Sequence, residues 1–300
     1  MKNKTCFGIN IISLTITIFG TIIALIVLIY ILLRRKTLYN IQLLLCANNY
    51  LLLFILGILT LTINIRIYHG DLKEVNNEKE TLSCRMNSYI FYVFMSAVYL
   101  AFILQATFRL CRLIYVSRQN LLNFRTYWFI IPLFWLFSFL LNLPLLLWHG
   151  QELIPSENAC LVPKDDPRSI AYSILIIYGI PFLSIVLVYI RLIQFLRQQS
   201  LNRNFSEFKR FRHRDMKIFR RILIVVILLG IYGLPTAIML LILAFTNELV
   251  ICFYRILILS VSVCVLTLSL ALVYITPQIH LCRQKPRVIP MIKDQKDIPQ

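Results

Sequence analysis

Seven long stretches of this chain contain no Asp, Glu, Lys or Arg: Thr5 to Leu33, Thr37 to Ile65, Met86 to Phe108, Thr126 to Gln151, Ser169 to Ile190, Ile222 to Asn247 and Ile256 to Cys282. The shortest is 22 residues, and about 20 helical residues cross a hydrocarbon core of roughly 30 Å. In lipid no water reaches the backbone, so each stretch must satisfy its own N–H and C=O groups as a helix. Alternating segments of about ten residues, the mark of an outer-membrane barrel, are absent. The composition agrees, with 59% apolar and 15% charged residues against about 45–50% and about 25% in soluble domains. The expected fold is an all-α membrane protein, a seven-transmembrane helix bundle over residues 1–282. Its spans fall near 7–33, 41–65, 86–108, 127–148, 169–190, 222–246 and 256–280, with a short cytoplasmic tail at 283–300.

An odd number of spans puts the two ends on opposite sides, and the charges choose between them. Arg34, Arg35 and Lys36, the segments Arg109 to Arg125 and Arg191 to Arg221, and the tail after Cys282 together carry the whole net charge of +18. The segments on the other side balance. Basic short loops stay in the cytoplasm, so the amino terminus is expected outside and the tail inside, in a multi-pass plasma-membrane protein. In a soluble chain +18 would suggest a nucleic-acid partner; this distribution excludes nucleic acid and points to anionic membrane lipid instead. The first run exceeds the apolar region of a signal peptide, about 7–15 residues, and has no small-residue cleavage site.

What the spans lack narrows the function. Pumps, proton-coupled transporters and ion channels need ionisable groups along a polar path, and no span has one. The last span has no Lys for a retinal Schiff base. No metal-ligand cluster, nucleophile–base pair or phosphate loop appears, so the chain is expected to be no enzyme and to hold no metal or cofactor. Asn48, Asn49, Gln105, Asn142 and several Ser and Thr read as bridges between helices. Of eight cysteines, Cys6, Cys84, Cys160 and Cys252 fall on the outer side, where disulfides persist, and four allow three pairings. Cys46, Cys111, Cys264 and Cys282 read as free thiols.

Several landmarks recur at set intervals. Cys84 stands 25 residues before Arg109; Trp135, with Trp128 competing, and Pro144 mark the fourth run; Pro181 is followed eight residues on by Tyr189; Pro235 lies in Tyr232-Gly233-Leu234-Pro235 and Pro277 in Thr276-Pro277-Gln278-Ile279-His280. In this order the chain resembles the rhodopsin-like G-protein-coupled receptors, as a divergent, orphan-like member. The departures are several. Phe108 replaces the acid before the third-helix Arg and Leu110 the Tyr after it. Thr21, Tyr50 or Asn49, Thr276 and His280 replace the family's polar landmarks, and Gly233 stands in place of the sixth-helix Trp. These changes remove the carboxylate that would hold a sodium ion and the usual aromatic toggle.

The resemblance implies a receptor that passes an extracellular ligand signal to a heterotrimeric G protein. It implies a Cys84–Cys160 disulfide, which leaves Cys6 and Cys252 as the two outer cysteines for a second bridge. It places the ligand among Phe91, Tyr92, Met95, Tyr178, Thr236, Leu240, Leu266 and Leu270, and the switch at Arg109, Tyr189, Asp215, Pro235 and Pro277. Phe91 stands where amine receptors offer an Asp, so a charged amine would be desolvated without a counter-ion. A small apolar molecule or a peptide held by the acidic second outer loop, with Glu152, Glu157, Asp165 and Asp166, both remain open. Residues 205–219 alternate Phe205, Phe208, Phe211, Met216 and Phe219 with basic residues, a basic amphipathic helix suited to anionic lipid or a G protein. Asn3-Lys4-Thr5 is a glycosylation sequon placed outside and Asn204-Phe205-Ser206 one placed inside. The rival reading is a seven-span transporter or facilitator of a neutral solute, for which the expected pseudo-symmetry between halves is absent.

Overall fold

The computed structural model describes residues 4–33, 41–73, 81–114, 123–155, 157–163, 166–202, 227–228, 230–231, 233, 238, 242 and 252–275. Asn3, Asn204, the 205–219 segment with Asp215, Pro235, Thr236, Leu240, Pro277 and the 283–300 tail lie outside the described residues. Within them, six helices are long and apolar enough to cross a membrane. They are α1 (Lys4–Leu33), α2 (Ile41–Lys73), α3 (Leu82–Ile114), α4 (Phe124–Leu147), a composite of α5 (Pro167–Tyr172), a π-helical turn (Ser173–Gly179) and α6 (Ile180–Asn202), and finally α7 (Phe253–Ile275). In the sixth apolar run, Ile227, Leu228, Gly230, Ile231, Gly233, Ile238 and Ile242 are helical. α2 and α3 outrun their charge-free stretches, because a charged side chain ends burial in lipid without breaking the helical hydrogen bonds.

α1 shows how lipid inverts the usual burial rule. Its buried positions, Asn10, Ser13, Thr17, Gly20, Thr21, Ala24, Leu28 and Ile31, recur every three or four residues on one face. Ile12, Phe19, Ile22 and Ile26 are exposed. Lipid tails solvate large aliphatic side chains as well as a protein core does, so small and hydroxyl-bearing residues take the interface. That interface faces α2 and α7. Ser13 Oγ lies 2.9 Å from Ser262 Oγ, Thr17 Oγ1 donates to Ser262 Oγ at 2.7 Å, and Asn64 Nδ2 donates to Thr17 Oγ1 at 3.4 Å. Asn10 Nδ2 reaches the Asn64 carbonyl at 3.4 Å. The result is a ladder of hydroxyls and amides through three helices.

α3 is the central helix, packing on α2, α4 and α6. The polar residues of its neighbourhood do bridge helices. Asn49 donates to Gln105 Oε1 at 2.9 Å, and Trp135 Nε1 donates to Asn48 Oδ1 at 3.1 Å. Asn142 donates to Ser96 Oγ at 2.7 Å, with Ser96 and Ser138 hydroxyls 2.7 Å apart. Trp135 is therefore the bundle-facing indole of α4, while Trp128 is 58% exposed.

Between α4 and α5 the chain forms a hairpin that no pattern in the sequence announces. β1 (Glu152–Ile154) pairs antiparallel with β2 (Ala159–Leu161), matching Glu152 with Leu161 and Ile154 with Ala159. The turn closes with Glu157 and Asn158 N–H groups on the Ile154 carbonyl, and Asn158 takes a left-handed φ of 52°, a conformation Asn tolerates. The Asn158 amide lies directly on Gly70 of α2, where any side chain would overlap it.

Candidate functional site

One end of the bundle is built around the hairpin. Ala159, Cys160, Leu161 and Val162 are all buried, because β2 lies in the mouth of the bundle against α2 and α3. Cys84, at the start of α3, is bonded to Cys160, and Cys6 of α1 to Cys252 just before α7, with Cα–Cα distances of 5.6 and 5.4 Å. Cys46, Cys111 and Cys264 form no disulfide among the described residues. Tyr254 of α7 donates to the Val162 carbonyl at 3.1 Å, fastening the strand to the opposite side.

A buried ion cluster completes this fastening. Arg255, 5% exposed, sends Nη1 and Nη2 to the two carboxylate oxygens of Asp71 at 2.7 and 2.9 Å, and Nε to Glu157 at 2.8 Å. The planar guanidinium fork suits a bidentate carboxylate, so one side chain of α7 joins the end of α2 to the hairpin turn. Sequence reasoning counted these residues as balanced loop charges and missed the cluster. Their separations of 184 and 98 residues leave no local pattern; the available signal was a lone base opposed to acids in segments that sum to zero.

Beneath the hairpin, Phe91, Tyr92, Met95 and Tyr178 belong to one continuous apolar core. Phe91 meets Tyr92 edge-on at 5.5 Å, and Tyr178 meets Tyr99 edge-on at 5.9 Å. Met95 also lines a cavity of about 20 Å³ with Leu53, Tyr99, Cys264 and Leu268. A water would fit by volume, but it needs two to four polar partners, and the walls are apolar. Two of the expected ligand residues lie elsewhere. Leu270 is 50% exposed on the outer face of α7, turned to lipid, and the Leu266 backbone packs on Gly20 of α1, where an added Cβ would meet it at about 3.1 Å. Both positions came from intervals counted along the chain, and the rotation of α7 sets Ser262 and the Leu266 backbone on α1 and leaves Leu270 at the surface.

At the other end of α3, Arg109 is half-buried by residue, yet its Nε and Nη1 are wholly shielded from solvent and meet no acceptor among the described residues. Tyr189, buried on α6, is its electrostatic neighbour. Phe108, where the resemblance calls for an acid, is buried edge-on against Tyr127 of α4 at 5.0 Å. It fastens α3 to α4 in a cluster with Leu44, Leu45 and Leu104. The chain thus substitutes an apolar anchor for a charged neighbour of Arg109.

A central helix carrying a shielded Arg at one end, and a disulfide to a lid strand at the other, coincides with a match to the family model for seven-transmembrane receptors of the rhodopsin family, over residues 21–272. The chain belongs to this receptor family. Comparison with curated proteins gave no match. Membership makes the chain a helical membrane receptor, and the members of this family are receptors rather than enzymes. Two disulfides and an aromatic floor then form one half of a rhodopsin-family receptor, and Arg109 with Tyr189 lies in the other half.

Proposed function

We propose that this receptor sits in the plasma membrane as a seven-helix bundle over residues 1–282, with its amino terminus outside and its 283–300 tail inside, and couples an extracellular ligand to a heterotrimeric G protein. The observation that carries the reading is Arg109. Its Nε and Nη1, shielded from water and without an acceptor among the described residues, are costly, and the cost is relieved when a partner brings carbonyl or carboxylate groups to the inner face. The basic inner segments, which hold the full +18, favour anionic lipid and an acidic partner surface in the same place. The ligand enters above Phe91, Tyr92, Met95 and Tyr178, with Thr236 and Leu240 contributed from the sixth run. A small apolar molecule suits that floor better than a peptide, since the buried hairpin occupies the mouth and Arg255 already takes Glu157 of its turn together with Asp71 of α2. Pro235 and Pro277 supply the bends about which the inner halves of their helices move.

A ligand panel read out by G-protein activation in expressing cells tests the reading. Arg109→Ala is expected to abolish activation with surface expression intact, and normal signalling in that variant overturns the mechanism. Asp215, which the resemblance puts at the foot of the sixth helix, is proposed as a resting partner of Arg109. An ion pair at a wet membrane edge is worth about 0.2–1 kcal/mol. Asp215→Ala is therefore expected to raise basal activity by at most about fivefold; unchanged basal activity removes this pairing.

A further inference from the structure

Where α5 meets α6 the backbone widens into a π-turn, with the Ile180 N–H bonded to the Leu175 carbonyl five residues back. Such turns insert a residue into a helix and rotate the side chains beyond it, and they concentrate at functional positions. This one carries Tyr178 near its end. The Tyr178 ring stacks on Phe182, one helical turn further, at 5.3 Å and 12° between planes. Its edge contact with Tyr99 belongs to α3. On its other side stand two glycines of the sixth run. Any side chain at Gly233 would overlap the Tyr178 ring, and a methyl at Gly230 would press on Phe182 at 3.2 Å. Residues three apart share a helix face, so Gly230 and Gly233 form one notch, filled by the ring pair from the neighbouring helix. The hydrogen bond across this contact is long, Tyr178 Oη donating to the Gly230 carbonyl at 3.5 Å.

Tyr178 is thus a spacer between α3 and the helix of the sixth run, gripped by apolar contact on both sides. A ring against glycine backbone is held by shape and dispersion rather than by directed bonds, so it can slide where a hydroxyl ladder cannot. We infer that the Tyr178–Phe182 ring pair, seated in the notch of Gly230 and Gly233, positions the helix of the sixth run against α3 and so sets how often the bundle takes its coupling form. The inference rests on the receptor reading above. Tyr178 is a positioning residue: it acts through the helix it seats.

The test is an exchange of bulk across the contact, in full-length receptor without added ligand. Basal nucleotide exchange on a panel of chimeric G-protein α subunits is normalised to surface receptor. Gly233→Ala and Tyr178→Ala are each expected to change it at least threefold. Tyr178→Phe, which keeps the ring, is expected to change it less than either Ala variant does. The pair Tyr178→Ala with Gly233→Phe, which returns a ring to the same space from the other helix, is expected to restore it to within twofold. Unchanged basal exchange in both Ala variants at normal surface levels overturns the inference, as does an exchange pair whose defects simply multiply. A second measurement does not depend on coupling. Spin labels at Arg112→Cys and Ile227→Cys in purified receptor, with the cysteines outside the two disulfides replaced, report the distance between α3 and the sixth run. Tyr178→Ala must shift that distribution and Tyr178→Phe must not; a purely structural ring would lower thermal stability and leave the distance where it was. A shifted distance in a receptor that activates no G protein supports the seating and counts against the G-protein reading alone.

Discussion

The side of the bundle where α1, α2 and α7 meet and the side where α3 and α6 face the sixth run are both cut from apolar sequence, yet they are joined by different chemistry. On the first side the joints are directional: Ser13, Thr17, Asn64 and Ser262 in a hydroxyl ladder, the Cys6–Cys252 bridge, and Arg255 clamped between Asp71 and Glu157. On the second side the described contacts are rings in glycine notches and edge-on aromatics. Hydrogen bonds, including those that join the ion pairs, weaken steeply as their distance and angle depart from ideal, whereas an aromatic face keeps most of its contact while it shifts. One side is built as a frame and the other as a bearing.

The heaviest blow to the frame should come from Arg255. Replacing it with Met strands two shielded carboxylates, and removing one partner of a buried pair costs about 3–5 kcal/mol. Arg255→Met is expected to lower the thermal midpoint of purified receptor steeply, while Asp71→Asn and Glu157→Gln added to it recover most of the loss. An Arg255→Met protein as stable as the parent would remove the frame from the comparison. Next come the bridges. Peptide mapping without reduction should find Cys84 with Cys160 and Cys6 with Cys252, and Cys84→Ser with Cys160→Ser should cost about 2–4 kcal/mol; any crossed pairing breaks the account of the lid. The smallest effect sharpens the comparison most. Ser262→Ala removes the hub of the ladder, and interhelical hydrogen bonds in membranes average about 0.6 kcal/mol. Its stability should fall by that order with basal coupling unchanged. A Ser262 variant that alters coupling as Tyr178→Ala does would erase the distinction between the two sides.

The spans were legible in the sequence because a run without charge long enough to cross lipid has few other uses. Ser13, Thr17 and Thr21, four residues apart, already mark the packed face of α1, and Asn48, Asn49, Gln105 and Asn142 take the bridging roles their isolation among apolar residues suggests. The hairpin was not legible, since three-residue strands carry too little alternation to register. Arg255 was hidden by cancellation: a sum of charges says which side a loop is on, and nothing about which charges touch. Leu270 shows the limit of counting along a helix, where a rotation of a fraction of a turn moves a side chain from chamber to lipid. Gly233 was visible as a missing Trp, but a glycine does not announce which ring will occupy its place; Tyr178 sits on another helix, rotated there by a π-turn that no residue pattern marks.

The bridge between Cys6 and Cys252 joins residues 246 apart, and in the proposed topology both reach the oxidising compartment. A ribosome adds about 5–20 residues per second, so the thiol of Cys6 waits on the order of 12–50 s before its partner exists. Over that interval the other outer cysteines, Cys84 and Cys160, are made and can pair with each other. The last bond to close is then the one that turns the chain from Cys6 to Cys252 into a covalent ring, and its presence is a chemical record that synthesis has passed the third outer loop.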